Sequence, residues 1–277
     1  VSVLIVSGTG TGVGKTVVTA AVAALAAGRG ARVAVVKPAQ TGLGPHPAGS
    51  GDGDGGSGPD GTRGRDGRSG PDGGSGPDGG DLAEVRRLAG VQDLHELARF
   101  PDPLSPEAAA RVSGTAALRL DEVARCVATL AGGRDLVLVE GAGGLLVRYA
   151  EDGWTLAELA RVLGAPVLLV TSAGLGTLNH TALTCEVMAG RGLRLAGGLV
   201  IGCWPAVPEL AERCNVADLE AVSGRPLGGA LPCGAPTRVD FAGIARHSLG
   251  PEYGGRFDAA DFRREHGARS GYGTPPR

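Results

Sequence analysis

Gly8-Thr-Gly-Thr-Gly-Val-Gly14-Lys15-Thr16 is the segment of this sequence best equipped for chemistry. It follows a short apolar run and opens a helical pattern. The unpaired N–H groups of a first helical turn, with the helix dipole behind them, make a nest for phosphate oxygens. In that nest Gly12, Val13, Gly14 and Val17 line the backbone, Lys15 reaches the terminal phosphates of a nucleotide such as ATP, and the Thr16 hydroxyl serves Mg2+. The spacing departs by one residue from the common G-x-x-x-x-G-K-[ST] pattern, because Thr9 stands where that pattern has glycine and the glycine is Gly8. The competing reading, a glycine-rich turn with no nucleotide, is weakened by the adjacent Lys-Thr.

The chain has 27 basic residues, of which only Lys15 and Lys37 are lysines and 25 are arginines. Lysine is a compact point charge whose amine can shift its pKa, so the two positions that kept it are catalytic candidates. Lys37 reads as the end of a strand in Val-Val-Lys37-Pro38-Ala-Gln-Thr41-Gly, with Pro38 stopping the strand and aiming the cation at the rim of the phosphate loop. A cation there stabilises charge developing during transfer; the alternative is an ordinary surface lysine. Thr41 is either a substrate contact or turn chemistry.

Phosphoryl transfer also needs carboxylates for its metal. Glu140 ends the apolar run Leu136-Val-Leu-Val and is followed by Gly141, Ala142 and Gly143, a stretch that lets the backbone approach a ligand. Asp81 opens a helical D-L-A-E-V pattern and is a metal ligand, a helix N-cap or both. Gly176-Thr177-Leu178-Asn179 begins another helix, whose amides can take a carboxylate; the following His180 reads more readily as a packed or solvated side chain than as an acid–base group. No Ser-His-Asp order, H-E-x-x-H or G-x-C-x-G element appears, which sets aside hydrolase and glutamine amidotransferase chemistry.

The elements that must position these residues alternate. Apolar runs at Val3–Val6, Val33–Val36, Leu136–Val139, Val167–Val170 and Leu199–Ile201 lack polar alternation, as doubly covered parallel strands do. Helical patterns fall between them at 14–27, 81–89, 120–131, 155–163, 177–190 and 207–221. The fold class is therefore α/β, a parallel β-sheet covered by helices on both faces, with ligands bound outside the carboxyl ends of its strands. Residues 44–80 collapse into Gly, Asp, Pro, Ser and Arg, with SGPDG three times, and read as a disordered insertion in a domain spanning 1–240. Residues 241–277 read as a loosely held tail.

A chain of 277 residues that is 42% apolar and 20% charged can bury a core, which excludes disorder throughout. The net charge of −2 argues against a nucleic-acid partner, and no apolar run is long enough to span a membrane, so a cytoplasmic location is expected. Five cysteines without a C-x-x-C pair indicate neither a zinc ribbon nor a disulfide framework and are expected as free thiols.

Taken together, GTGTGVGKT at 8–16, KPAQTG at 37–42, the D-L-A-E of Asp81, FPDPLSPEAAA at 100–110, VEGAGG at 139–144 and LGTLNHTALT at 175–184 resemble the dethiobiotin synthetase family, in family order and over most of residues 1–235. The long phosphate loop is a trait of that family. The resemblance implies a homodimeric P-loop fold acting on 7,8-diaminononanoate, CO2 or bicarbonate, and a nucleoside triphosphate with Mg2+. It implies that Lys15 and Lys37 are catalytic, that Thr16, Asp81 and Glu140 hold the metal, and that Thr41 contacts the diamine. Gly176, Thr177, Leu178 and Asn179 of the facing subunit would receive the substrate carboxylate. Gly202, Cys203, Leu231 and Pro232 fall on the nucleotide side, where Gly202 and Cys203 replace the family's polar pair that reads adenine. A cobyrinate-type ligase is disfavoured by the missing glutaminase domain. A partition-type switch is disfavoured by the lack of a second lysine in the phosphate loop.

Overall fold

The structure, a computed structural model, describes residues 3–43 and 79–268. Most of the 44–80 insertion and residues 269–277 lie outside the described residues. Seven strands form one parallel sheet: β1 (Val3–Gly8), β2 (Val33–Gln40), β3 (Leu94–Arg99), β4 (Leu136–Gly144), β5 (Val167–Thr171), β6 (Val200–Trp204) and β7 (Gly229–Pro232). Their spatial order is β3-β2-β4-β1-β5-β6-β7. The chain starts in the middle, builds outward to β3, returns beside β1 as β4, then crosses to β5 and fills the other half. Winding thus reverses at β1, the kind of place where open α/β sheets bind ligands.

Nine helices are described: α1 (Lys15–Ala27), α2 (Asp81–Ala89), α3 (Pro106–Ser113), α4 (Leu120–Ala131), α5 (Leu156–Leu163), α6 (Thr177–Gly190), α7 (Leu210–Ser223), α8 (Phe241–Ser248) and α9 (Ala259–His266). They cover both faces, so alternate residues of one strand enter different cores. Ile5, Val139 and Leu169 pack toward α3–α7, whereas Leu4, Val6, Leu138 and Val170 pack toward α1, α2 and α8. This two-sided burial is why the strands read as unbroken apolar runs. Helix α1 is buried along most of its length through Ala20, Ala21, Ala23, Ala24 and Ala26, whose small side chains let the sheet, α2 and α8 all approach it.

Three sequence expectations need correction. Pro38 does not end β2, which continues to Gln40. Pairing of β2 with β4 stops at Val36↔Val139 while pairing with β3 continues to Gln40↔Arg99. The side toward β4 is thus already unpaired, and a residue without an N–H is tolerated there. The 241–277 stretch is not loose over its described part: Phe241, Ala245, Leu249 and Tyr253 are buried, and Phe262 of α9 packs edge-on against Trp204 at 5.0 Å. A few well-spaced apolar residues anchor an otherwise polar segment. Finally, Cys203 and Cys233 form a disulfide, with Cα atoms 4.6 Å apart, because β6 and β7 are neighbours although the cysteines are 30 residues apart in sequence. Cys126, Cys185 and Cys214 are free and half-buried, as expected.

Candidate active site

The loop between β1 and α1 contains Gly12 and Gly14 at φ +72° and +93°, left-handed values that glycine adopts without strain. A Cβ on Gly14 would sit 2.7 Å from the carbonyl oxygen of Gly202, so the phosphate loop rests directly on β6. The Thr9 amide donates to the Val170 carbonyl at 2.9 Å and fixes the loop to β5. At the head of α1 the Lys15 ammonium is nearly buried and donates to the Gly10 carbonyl at 2.9 Å. Burial, reinforced by the nearby Lys37 cation, brings the Lys15 pKa down to about 8 against the opposing pull of Glu140 and Asp81.

Beside this loop β2 and β4 part after Val36, and the opening holds a charged cluster. Lys37 is 3% exposed and Glu140 is 0% exposed. The Lys37 ammonium donates to Glu140 Oε1 at 2.9 Å and to the Gly141 carbonyl at 3.3 Å, and forms an ion pair with Asp81. The Thr16 hydroxyl donates to the same Glu140 Oε1 at 2.9 Å. Burial disfavours the charged form of Lys37, but the Glu140 and Asp81 carboxylates together outweigh it and hold the lysine above its ordinary range. Burial likewise opposes ionisation of Asp81, and Lys37 reverses that, holding the carboxyl below its usual range.

Glu140 Oε2 is buried and has no hydrogen-bond partner in the protein. Leaving such an oxygen unsatisfied costs about 1–3 kcal/mol or more, which an approaching cation would remove. Glu140, Asp81 and the Thr16 hydroxyl are hard oxygen donors suited to a small divalent ion. Among the described residues no three His, Cys, Asp or Glu side chains converge as a metal site. An ion held by these donors would complete its shell with water and phosphate oxygens, the usual arrangement in phosphoryl-transfer sites.

Several residues that sequence reasoning missed hold this cluster in place. Buried Gln40 accepts the Asp81 amide through Oε1 at 3.0 Å and donates to the Thr41 carbonyl at 3.2 Å, tying the start of α2 to the end of β2. Gly80 is the α2 N-cap residue, so the Asp81 side chain is free for Lys37 rather than spent on capping. Tyr149 stacks on Trp154 and its hydroxyl accepts the Ala142 amide at 2.9 Å, fixing the glycine-rich end of β4.

A run of threonine hydroxyls links the phosphate loop to α6. Thr177 donates to the Ser172 carbonyl at 2.7 Å, so its oxygen must accept from Thr171 at 2.7 Å. Thr171, its proton committed, then accepts from Thr181 at 2.9 Å and from Thr9 at 3.4 Å. Thr177 is therefore bound inward, and the amides of Leu178 and Asn179 are left at the free end of α6 without intrahelical acceptors. Thr41 stands half-buried at the end of β2, and His180 is exposed. On the far side of the phosphate loop Leu231 is buried and Pro232 exposed. The structure thus gathers Lys15, Thr16, Lys37, Asp81 and Glu140 at one point, with the α6 terminus and the β6–β7 ends flanking the loop. The contacts of Gln40 with Asp81 and of Thr171 with Thr9 join residues 41 and 162 positions apart and leave no local sequence pattern.

A phosphate loop at the reversal point of a parallel sheet, with two buried lysines and two carboxylates beside it, defines a P-loop nucleotide-binding protein equipped for phosphoryl transfer. Residues 2–237 match a family model described as an AAA domain. The chain is 61% identical over 185 residues to the ATP-dependent dethiobiotin synthetase BioD of Frankia casuarinae, covering 66% of this chain and 77% of that protein. The BioD proteins of Parafrankia sp. and Streptomyces coelicolor are 58% and 56% identical over 67% and 68% of this chain, in each case 79% of the relative. The chain belongs to the ATP-dependent dethiobiotin synthetase family, ligases of biotin biosynthesis. A solved MinC:MinD complex of Aquifex aeolicus matches 88% of this chain and 86% of that one at 14% identity and a TM-score of 0.48, a likeness too distant to bear on function. Among the described residues no helix is long and apolar enough to cross a membrane.

Proposed function

We propose that this chain carboxylates 7,8-diaminononanoate with CO2 and closes the ureido ring of dethiobiotin at the expense of ATP. One substrate amine adds to CO2 and loses a proton, giving a carbamate. A carbamate oxygen attacks the γ-phosphorus as the bond to ADP breaks, and the second amine then attacks the carbonyl carbon, expelling phosphate. Mg2+, held by Thr16, Asp81 and Glu140, would neutralise the triphosphate and help activate the γ-phosphoryl group.

The residues of the chain carry the rest. Lys15 binds the terminal phosphates on leaving the Gly10 carbonyl. Lys37 presents a permanent cation where negative charge builds on the transferring phosphoryl group and the carbamate. Thr41 meets the diamine, and the free amides of Leu178 and Asn179, with Gly176 and Thr177, receive the distal carboxylate from the facing subunit of a homodimer. Leu175, beside that helix end, is 94% exposed in the single chain, which supports a partner there. A cytoplasmic location accords with this chemistry.

The observation that carries the proposal is the buried Lys37 between Asp81 and Glu140, with one Glu140 oxygen left unsatisfied beside the phosphate loop. The test is phosphate release by purified protein with Mg2+, bicarbonate and 7,8-diaminononanoate, with ATP, CTP and GTP compared and product mass checked. Release that requires both diamine and bicarbonate, with the cyclic urea formed, is the expected result. Release without diamine, or none with any nucleotide, overturns it.

A further inference from the structure

With the reacting end beside Lys37 and Glu140 on the β2–β4 side of the phosphate loop, as in the proposed function, the nucleoside end would lie on the other side of the loop, where Gly14 packs on β6 and β7 is its neighbour. Gly202 lies directly beneath the loop there, and the next residue is Cys203, bonded to Cys233 just beyond β7. The Cys233 amide donates to the Trp204 carbonyl at 2.8 Å, and Arg87 of α2 donates to the Pro236 carbonyl at 3.0 Å. The segment after Cys233 therefore bridges β6 and α2, the helix that begins with Asp81. A crosslink at Cys203 and Cys233 borders the nucleoside rim and restrains that bridging segment.

This disulfide has the marks of a reversible one. Cys233 is exposed and Cys203 half-buried, so a thiolate can reach the bond. The chain has five cysteines, an odd number, and the other three are free. That composition does not suit a protein built for an oxidising compartment, and disulfides in reducing ones are mostly redox-responsive.

We propose that Cys203 and Cys233 are a redox-modification site that sets nucleotide affinity, its co-reactants being low-molecular-weight disulfides as oxidant and dithiols as reductant. In the oxidising direction the Cys233 thiolate attacks one sulfur of the small disulfide and releases one small thiol. The Cys203 thiolate then attacks the Cys233 sulfur of the mixed disulfide and releases the second. Two electrons and two protons pass from the protein thiols to the two released thiols, and a dithiol reverses both steps. The bonded form holds the rim in place before nucleotide arrives, whereas the reduced form must order it on binding.

The inference rests on residues 8–16 being the nucleotide site, and the experiment separates the two. The full-length protein is treated with glutathione disulfide or dithiothreitol, free thiols are counted, the Cys203–Cys233 crosslink is sought by peptide mass mapping, and the Kd of a non-hydrolysable ATP analogue with Mg2+ is measured by calorimetry. Expected are three free thiols after oxidation and five after reduction, the mapped crosslink, and a Kd about 3–10-fold weaker in the reduced protein, restored on reoxidation. Cys233→Ser should match the reduced protein under either reagent. A pair that stays as thiols under glutathione disulfide, or Kd values within about twofold of each other, overturns the proposal whether or not the variant folds. Absence of nucleotide binding in both redox states overturns the site reading as well.

Discussion

Lys15 makes the most quantitative prediction. Its ammonium is almost buried and its pKa in the free protein stands at about 8, against 10.5 for an ordinary lysine. Below pH 8 the lysine is protonated in both folded and unfolded chains, and burying that charge costs the fold about 3 kcal/mol. Between about 8 and 10.5 the unfolded chain binds the extra proton, so this group's contribution to stability rises with pH across that window. A triphosphate placed against Lys15 favours the charged form and restores the proton. Lys37, held above its ordinary range by two carboxylates, keeps its proton throughout and does not mask the effect.

At pH 9 about nine in ten free molecules carry a neutral Lys15, so nucleotide binding should take up ~0.9 proton and be about tenfold weaker than at pH 7. Calorimetry at pH 9 in two buffers of different ionisation enthalpy measures the uptake directly, and a Kd series from pH 7 to 9.5 gives the slope. Lys15→Arg, which cannot lose its charge, should abolish the uptake whatever it does to affinity. No proton uptake at pH 9 together with a flat Kd profile would refute the reasoning.

Glu140→Gln should lower product formation at least about 100-fold and cost the fold about 3 kcal/mol, because it takes away one of the two carboxylates that pair the buried Lys37 cation. Product formation close to that of the unaltered protein, or an unchanged melting temperature, would show that the buried pair does not need this carboxylate. Thr171→Val should cost about 1–2 kcal/mol in urea unfolding and weaken both nucleotide and diamine binding, with Thr171→Ser restoring them; a neutral valine variant would show that the threonine run positions nothing. Replacing residues 45–78 by a short Gly-Ser linker should leave turnover within a few-fold. Leu43 already approaches Gly80, with its Cδ1 2.9 Å from where a Cβ would stand, so the two ends need no long connection. Loss of turnover in a folded, shortened protein would give the tract a role in the site.

What the sequence disclosed depended on how local each signal was. The phosphate loop is contiguous and sits at a strand-to-helix junction, and the two lysines stood out because every other basic residue is arginine. Glu140 was legible as an acid after four apolar residues, although β4 runs past it to Gly144. By contrast, β3 is a half-buried edge strand, Leu-His-Glu-Leu-Ala-Arg, whose polar residues mask its period, and β7 has only four residues. Gln40 with Asp81, Thr9 with Thr171, and Cys203 with Cys233 are paired by the fold. Only the sheet order brings β5 beside the phosphate loop and β6 beside β7.

The restriction of lysine to two positions has a physical basis in the pocket itself. Lys37 has three N–H donors and meets three acceptors, on Asp81, Glu140 and the Gly141 carbonyl. A guanidinium carries five donors in a fixed plane, and the surplus would be buried without partners in a pocket with 3% exposure. Lys15 donates to the Gly10 carbonyl, a bond that in the proposed role it would exchange for phosphate oxygens. The two ammoniums cancel the charges of Asp81 and Glu140, so the cluster is close to neutral before nucleotide binds. A triphosphate adds several negative charges to this balanced site, and the unsatisfied Glu140 oxygen lies where a divalent cation can offset part of them.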